Sequence, residues 1–328
     1  MRNEAQMISV CMATYNGERF IEEQLACIYA QTIQPDEVII CDDASSDSTR
    51  DIIVNFIKRY RLEKKWKLVC NQERKGYPGN FYYCMSLAKG NYIFLADQDD
   101  IWDSLKIEKM FAVMRKQPNL EVLACKMGLL DAAGKKINTL VKPNYSKQTG
   151  KVSAVSLGQV LYKNEWSGMV LAYSNDWYRG KEAKLAGTSL PHDLALSILA
   201  AVDGGMFQMD LVLAWHRRHE NNAAGEEHRV FKLLDKEKKL ADIQRYEKYL
   251  RLILDDQILE GMEERDILIH KYQQLKLREK LLEEGKCLPV LKNYFTHKKE
   301  IRFFSMVCDL LICFIGYFNG NRKKSNIS

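Results

Sequence analysis

The chain has 328 residues, 46% of them hydrophobic, and a formal net charge of +6. This length allows a catalytic domain with an appendage, and the apolar content is sufficient for a buried core. Residues 286–328 contain eight basic and two acidic residues and so hold the whole net charge, which argues against a general nucleic-acid-binding protein.

The first hundred residues alternate between strand-like and helical patterns. Short apolar runs predict strands at 7–13, 37–41, 67–70 and 92–96. Helical spacing predicts helices at 18–31, 49–61 and 80–89. Because strands that alternate with helices form parallel βαβ units, ligands are expected at the carboxyl ends of the strands. We therefore expect the polar residues 14–16, 42–43 and 97–100 to lie along one edge of the sheet.

The pattern changes after about residue 120. Residues 167–172 and 207–215 are predicted as strands, and residues 192–202 as a helix with an acidic first turn. From 228 to 284 the chain has long, charged helical patterns with glycine breaks. These predict a helical hairpin packed on the main domain, and a dimerising coiled coil is the alternative.

Residues 301–318 are almost entirely apolar and have lysines near both ends. As a helix they extend about 27 Å, which is a marginal length for a bilayer span. We expect a helix that lies in the membrane interface or re-enters it, with basic flanks attracted to anionic lipid. A helix buried in a protein interface is the alternative.

The cysteines and the chain start bear on the cellular compartment. Nine cysteines form no CxxC pair, and several lie inside apolar runs. They indicate buried reduced thiols rather than disulfides or a zinc site. The first apolar run, 7–13, is too short for a cleavable signal peptide. We therefore expect a cytosolic protein.

Acidic residues follow two of the predicted strands. Asp42 and Asp43 form a pair that a solvated turn also explains. The run 97–100 contains three carboxylates at one strand end, where mutual repulsion favours a neutralising cation. Hard oxygen ligands of this kind suit Mg²⁺ or Mn²⁺, which commonly bridge to phosphates.

Three segments in this order resemble the signatures of family 2 glycosyltransferases. They are ATYNG at 13–17, DDASSDST at 42–49 and DQDDIW at 97–102. The last segment, with His192-Asp193 and RRHENN at 217–222, resembles the bacterial rhamnosyltransferase-like branch. Ala13 and Lys75 depart from this pattern, because relatives often carry proline and arginine there.

The resemblance covers about residues 7–225 and implies an α/β protein. The implied fold is GT-A, a Rossmann-like mixed sheet flanked by helices, here with a C-terminal helical extension. The chain then divides into a catalytic domain at 1–225 and a helical extension at 226–300. A basic, apolar, membrane-associating helix and tail follow at 301–328.

The resemblance also implies roles for individual residues. Asp193 is the general base, although its place at a helix start also fits a purely electrostatic role. Asp99 and His219 bind the metal. The nucleotide sugar is contacted by Thr14, Tyr15, Asn16, Asp43, Lys75, Asp97, Trp102 and Arg217.

Several of these contacts have a specific expected form. Tyr15 lies against the base, Asp43 hydrogen-bonds the base or ribose, and Asp97 holds the ribose or donor sugar. Trp102 either forms an acceptor-side wall or packs in the core. Arg217 belongs to a segment whose composition predicts a mobile loop over the diphosphate.

The implied enzyme is an inverting, metal-dependent transferase that acts without processivity. A metal ion stabilises the leaving diphosphate, and one carboxylate removes the proton of the attacking hydroxyl. The absence of a Gln-x-x-Arg-Trp motif predicts one sugar per encounter. The implied donor is dTDP-L-rhamnose, with UDP- and GDP-sugars as alternatives. The acceptor is a lipid-linked or growing bacterial surface glycan at the cytoplasmic membrane face.

Two rival functions use the same features. A nucleotidyltransferase also needs a parallel sheet and an acidic metal site, but its Gly-rich basic loop is poorly matched by residues 14–19. A non-catalytic membrane scaffold would use the helical tail and would be indifferent to loss of Asp99 or Asp193.

Overall fold

A computed structural model of the chain describes residues 6–137, 148–163, 166–185, 188, 190–218, 235–261, 263–285, 287–296, 306–307 and 309–313. The chain divides into two compact units, Met1–Asn222 and Ala223–Ser328.

The first unit is built on one sheet whose nine strands are β1 (Ile8–Thr14), β2 (Glu37–Asp42), β3 (Trp66–Cys70), β4 (Tyr92–Asp97), β5 (Ile101–Trp102), β6 (Val122–Leu130), β7 (Val152–Ala154), β8 (Leu171–Ser174) and β9 (Met206–Arg217). The strand order is β3-β2-β1-β4-β8-β6-β9-β5, and β7 pairs with β9. The first four strands are parallel to one another, whereas β8 runs antiparallel to both β4 and β6.

The helices of the first unit are α1 (Ile21–Tyr29), α2 (Thr49–Arg59), α3 (Gly79–Ser86), α4 (Lys106–Met114), α5 (Leu157–Lys163), α6 (Asn175–Arg179), α7 (Glu182–Leu185) and α8 (His192–Val202). The predicted parallel βαβ units are confirmed by the pairing of β1 with β2 and β4. All but one residue of β1 are buried. A strand that is covered on both faces requires such a continuous apolar run.

The second half of the sheet differs from the sequence prediction. Residues 167–172 were predicted as a strand, but Gly168–Val170 form a 3₁₀ turn and the strand β8 begins at Leu171. The turn is fully buried. A short buried apolar run has no periodicity that separates a strand from a turn. The long pair β6–β9 is parallel and contains irregularities between Ala124 and Met127.

The second unit contains α9 (Lys236–Asp255), α10 (Glu264–Glu284) and α11 (Cys287–Thr296). The helices α9 and α10 are antiparallel. Lys236 Nζ donates to the Glu283 carbonyl oxygen at 2.9 Å, and Arg265 Nη2 donates to the Leu254 carbonyl oxygen at 3.0 Å. One buried apolar cluster of the unit contains Ile243, Leu281, Leu282, Val290, Ile312 and Cys313.

Asp309 connects the apolar C-terminal run to this hairpin. Its side chain is 2% exposed and accepts from Arg278 Nε at 2.6 Å and Nη2 at 3.0 Å, with Lys239 Nζ at 3.7 Å. Such pairing offsets the large cost of burying a carboxylate. The described residues 306–307 and 309–313 therefore belong in part to the protein core. Within the described residues, none of the helices combines the length and the hydropathy needed to cross a bilayer.

Close backbone packing at Gly90 supports the sheet beside the start of β4. A Cβ atom there would lie 2.7 Å from the Ser9 backbone nitrogen and 2.9 Å from the Met7 carbonyl oxygen. Gly90→Ala should therefore lower the free energy of unfolding by about 1–3 kcal/mol. Urea denaturation followed by circular dichroism measures this change.

The matched control is Gly158→Ala in α5, where the nearest atom lies at 3.9 Å. Alanine favours a helix over glycine by about 1 kcal/mol, so this variant should be as stable as the wild type or slightly more so. Equal stability of the two variants would contradict the packing argument.

Candidate active site

Polar residues end three adjacent parallel strands. Thr14 ends β1, Asp42 ends β2 and Asp97 ends β4. In the strand registers Thr14 pairs with Asp42, and Ala13 pairs with Asp97. The Thr14 hydroxyl donates to Asp42 Oδ2 at 3.2 Å. The predicted polar edge of the sheet is therefore present.

Gln98 and Asn16 hold the loops along this edge. Tyr15 N donates to Gln98 Oε1 at 2.9 Å, and Gln98 Nε2 donates back to the Tyr15 carbonyl oxygen at 3.0 Å. Asn16 N donates to Ser45 Oγ, and Ser46 N donates to Asn16 Oδ1, each at 2.9 Å. The loops after β1, β2 and β4 thus form one connected surface, and in it the Asn16 side chain binds protein backbone.

Asp43 organises the loop that follows β3. Its carboxylate accepts from the backbone nitrogens of Lys75 at 2.7 Å and Gly76 at 2.9 Å, and from Asn71 Nδ2 at 2.9 Å. Burial alone would raise the pKa of Asp43, but these hydrogen bonds and the Arg74 guanidinium outweigh it and the pKa is lowered. A carboxylate accepts about four hydrogen bonds, and three of these positions are taken up by the protein here.

Arg74 covers the aromatic ring on which the base was predicted to lie. Its guanidinium carbon is 3.7 Å from the centroid of the Tyr15 ring, and its Nε is 3.9 Å from Asp43 Oδ2. Lys75, the predicted basic residue, instead places its Nζ 4.5 Å from the centroid of Tyr83. The sequence prediction missed Arg74, because two adjacent basic residues in a loop do not show which of them faces the ring.

Carboxylates crowd at the end of β4. Burial raises the pKa of Asp97 well above its usual range, and the charges of Asp100, Asp99 and Asp193 raise it further. Asp97 and Asp99 therefore share one electrostatic environment with Asp193, which comes from the start of α8. Asp99 and Asp193 are thus close enough to Asp97 for their charges to act on it, and their metal-binding and catalytic roles stay predictions.

These hard oxygen donors suit a divalent cation, which would relieve their repulsion. Within the described part of the chain, however, no three His, Cys, Asp or Glu side chains converge as a complete metal site. A cation here would need further ligands, and diphosphate oxygens are suited to supply them.

Asp100 points into the protein rather than along the edge. It is 1% exposed, and its Oδ1 lies 3.0 Å from His216 Nδ1 and accepts from Arg217 N at 3.3 Å. Burial raises the pKa of Asp100 above its usual value. The hydrogen bond with His216 opposes this rise but does not cancel it. Asp100 thus ties the acidic loop to the end of β9.

Two predicted ligand residues lie in the interior. Trp102 is 3% exposed and packs beneath Lys106 Nζ, so the core-packing alternative describes it and an acceptor wall does not. Arg217 is also 3% exposed, and its guanidinium binds Glu23, the Asp99 carbonyl oxygen at 3.1 Å and the Ala132 carbonyl oxygen at 3.4 Å. These contacts hold the end of β9 in place, and the predicted diphosphate contact by Arg217 stays a prediction. His219 lies outside the described residues.

Asp193 is held by two backbone donors. Its Oδ1 accepts from Leu194 N at 2.8 Å, and its Oδ2 accepts from Gly168 N at 3.2 Å. Reduced hydration and the charge of Asp193 are among the causes that raise the pKa of Tyr77 above its usual range. Asp193 therefore faces Tyr77 and Asp97 while it also stabilises the first turn of α8.

Residues 9–145 match the family model described as glycosyl transferase family 2. Two Escherichia coli relatives are named UDP-Glc:alpha-D-GlcNAc-diphosphoundecaprenol beta-1,3-glucosyltransferase. The relative WfgD is 33% identical over 110 residues, which are 34% of this chain and 42% of that protein. The relative WfaP is 35% identical over 114 residues, which are 34% of this chain and 43% of that protein. The matched part of the chain thus spans less than half the length of either relative.

Among solved structures, residues 1–349 of S. aureus TarS in complex with UDP-GlcNAc are similar to this chain. The TM-score is 0.54 at 16% sequence identity, and the match covers 96% of this chain and 92% of that chain. This likeness shows the fold. The expected GT-A architecture, a mixed sheet flanked by helices with a C-terminal helical part, is confirmed.

The Asp43 network predicts the order of the loop after β3. In Asp43→Ala the Lys75 and Gly76 nitrogens lose their acceptor, and each lost hydrogen bond costs about 0.5–1.5 kcal/mol. Local opening should then accelerate trypsin cleavage after Arg74 or Lys75 by about fivefold or more under native conditions. Mass spectrometry of timed digests identifies the cleavage site.

Asp51→Ala is the control, since Asp51 is an exposed residue of α2. Its digestion pattern should match that of the wild type. Unchanged cleavage in Asp43→Ala would show that the loop is ordered without this carboxylate.

Proposed function

Because residues 9–145 match the family model of glycosyl transferase family 2, we propose that the first unit transfers a sugar from a nucleotide-sugar donor to an acceptor hydroxyl. The observation that carries this proposal is the polar edge where β1, β2 and β4 end in Thr14, Asp42 and Asp97, with the charges of Asp99 and Asp193 acting on Asp97. These are the charges that binding a diphosphate through a cation and activating a hydroxyl require. We assign residues 1–225 to catalysis.

The base binds at the ring of Tyr15 in this proposal. Arg74 occupies one face of that ring at 3.7 Å, so the base either replaces the guanidinium or is covered by it. Asp43 hydrogen-bonds the base or ribose. Lys75, Thr14 and Asn16 shape the surrounding loops, as their hydrogen bonds and stacking contacts support.

The cofactor would be Mg²⁺ or Mn²⁺, and Asp99 together with the donor diphosphate would hold it. When bound, such an ion neutralises the charge that develops on the leaving diphosphate. Asp97 binds the ribose or the donor sugar beside it. His219 remains a further proposed ligand.

Asp193 acts as the general base. The Gly168 and Leu194 nitrogens orient its carboxylate at 3.2 and 2.8 Å, so it takes the proton of the acceptor hydroxyl in a defined position. The acceptor oxygen attacks the anomeric carbon as the bond to the diphosphate breaks on the opposite face. This single displacement inverts the anomeric centre.

The donor we propose is dTDP-L-rhamnose, since the motif at 97–102 resembles the rhamnosyltransferase-like branch. UDP- and GDP-sugars are the alternatives, and the names of the two Escherichia coli relatives specify a UDP-sugar. Those names also specify a diphosphoundecaprenol-linked acceptor. A lipid-linked or growing surface glycan at the cytoplasmic membrane face is therefore the proposed acceptor, with one sugar added per encounter.

The second unit supports a location at the membrane. Residues 226–300 form the proposed helical extension and 301–328 the proposed membrane-associating tail. On α11, Leu288 is 79% exposed and Phe295 is 65% exposed, and Lys292 between them is also exposed. Apolar side chains beside basic ones are typical of helices that bind anionic lipid surfaces.

Nucleotide binding and catalysis can be tested separately. With Mn²⁺ present, one of dTDP, UDP and GDP should raise the melting temperature, corresponding to about 2.7 kcal/mol at a hundredfold excess over Kd. Asp99→Asn should abolish the metal-dependent part of this shift. Asp193→Asn should keep the shift but lower kcat about 10²- to 10⁴-fold in a radiolabelled sugar-transfer assay.

Asp203→Asn, at the other end of α8, is the control and should retain both binding and kcat. A wild-type chain that binds none of the nucleotides in the presence of metal would count against a transferase and favour a scaffold. Full activity of Asp193→Asn would remove Asp193 as the base.

Membrane binding of the full chain is tested by sedimentation with vesicles of phosphatidylglycerol or of phosphatidylcholine. Binding should require the anionic lipid and weaken with salt. Leu288→Glu with Phe295→Glu should reduce it strongly, whereas Ile267→Glu, at a 41% exposed position on α10, should not. Equal binding of all variants would place the contact elsewhere.

A further inference from the structure

Lys106 is a fully buried lysine at the start of α4. Its side chain is 0% exposed, and its Nζ donates to the Met169 carbonyl oxygen at 2.7 Å. The same Nζ lies 3.3 Å from the centroid of the Trp102 ring. Burial of an ammonium group is costly unless the surroundings compensate it, so the position of Lys106 calls for an explanation.

The compensating charges come from the acidic cluster. Burial lowers the pKa of Lys106 to about 7, and the charges of Cys125, Asp100 and Asp97 oppose this lowering. The charge of Lys106 in turn lowers the pKa of Asp97 and so opposes part of its rise. The buried Nζ lies at the Met169 carbonyl oxygen and over the Trp102 ring, where the charges of Asp97 and Asp100 act on it.

The acceptor of the Lys106 hydrogen bond lies in the same turn that contacts Asp193, the proposed general base. Met169 belongs to the 3₁₀ turn Gly168–Val170, which is buried. The preceding residue of that turn, Gly168, donates its N–H to Asp193 Oδ2 at 3.2 Å. One turn of three residues thus accepts a hydrogen bond from Lys106 and donates one to Asp193.

We propose that Lys106 is a positioning residue that ties this turn to Trp102, which closely follows the acidic run 97–100, and so sets the place of Asp193 relative to Asp97 and Asp99. This inference rests on the proposed function, because it assigns Asp193 the role of general base. Lys106 itself touches neither donor nor acceptor in this arrangement.

Loss of the Lys106 hydrogen bond should affect turnover differently from a general loss of structure. In Lys106→Met the Met169 carbonyl loses its donor, and the turn that holds Asp193 is free to shift. A displacement of about 1 Å in a reacting group can lower a rate about 100-fold. Loss of a positive charge near the carboxylates, in contrast, leaves cation binding equal or stronger. In Lys106→Met, kcat should therefore fall while the Kd of the metal–nucleotide complex stays the same or decreases.

The experiment uses the full chain and the nucleotide that binds the wild type with Mn²⁺. For the wild type, Lys106→Met and Lys106→Gln, one measures kcat, donor KM, and the Kd of the Mn²⁺–nucleoside diphosphate by calorimetry. Lys106→Met should lower kcat about 10- to 100-fold with an unchanged or lower Kd. Lys106→Gln retains a neutral donor for the Met169 carbonyl and should recover part of kcat.

Lys126→Met is the matched control, because Lys126 on β6 forms an ion pair with Asp210 away from these carboxylates. It should keep the wild-type kcat and Kd. If Lys106→Met does not fold, Lys106→Gln carries the test alone, with a smaller fall in kcat at unchanged Kd as the expected result.

Three outcomes would overturn the inference. A kcat of the Lys106 variants within about twofold of an active wild type overturns it while the proposed function stands. So does a parallel loss of kcat and nucleotide affinity, which indicates only structural damage. A wild-type chain that transfers no sugar from any donor overturns the proposed function, and this inference falls with it.

Discussion

Repulsion among the carboxylates at the end of β4 is the constraint on which the arrangement of the site depends. Burial and the neighbouring charges of Asp100 and Asp99 raise the pKa of Asp97. The protein compensates in part: Asp100 is paired with His216, and the buried ammonium of Lys106 lies near the cluster. The proposed cation and donor diphosphate would act on the same charges at the edge of the sheet.

The loops around this charge are held by their own polar groups. Gln98 bonds the backbone of Tyr15 in both directions, and Asp43 accepts from the backbone of Lys75 and Gly76. Side chains that the motifs predict as ligands thus also order the loops along the edge of the sheet. Pre-organised loops lose less entropy on binding, so the two roles are compatible.

The sequence established the parallel half of the fold and the set of acidic residues. Regular alternation of buried strands and amphipathic helices predicted β1 to β4, because such periodicity is a local property. The order of the motifs placed Thr14, Asp43 and Asp97 on one edge, since parallel strands end on the same side. The antiparallel pairing of β8 with β4 and β6 was not predicted, because it depends on contacts between distant residues.

Tertiary structure alone decided which side chains of the motifs face the edge. Trp102 and Arg217 turn inward, where packing and backbone acceptors hold them, while Arg74 covers Tyr15 in the place predicted for Lys75. Residue type and spacing are the same for an inward and an outward side chain. The connection from Lys106 through the Gly168–Val170 turn to Asp193 joins residues far apart in the chain. The sequence therefore determined the chemical groups and their strand ends, and the packed fold determined their directions, because burial and long-range hydrogen bonds exist only once the chain has folded.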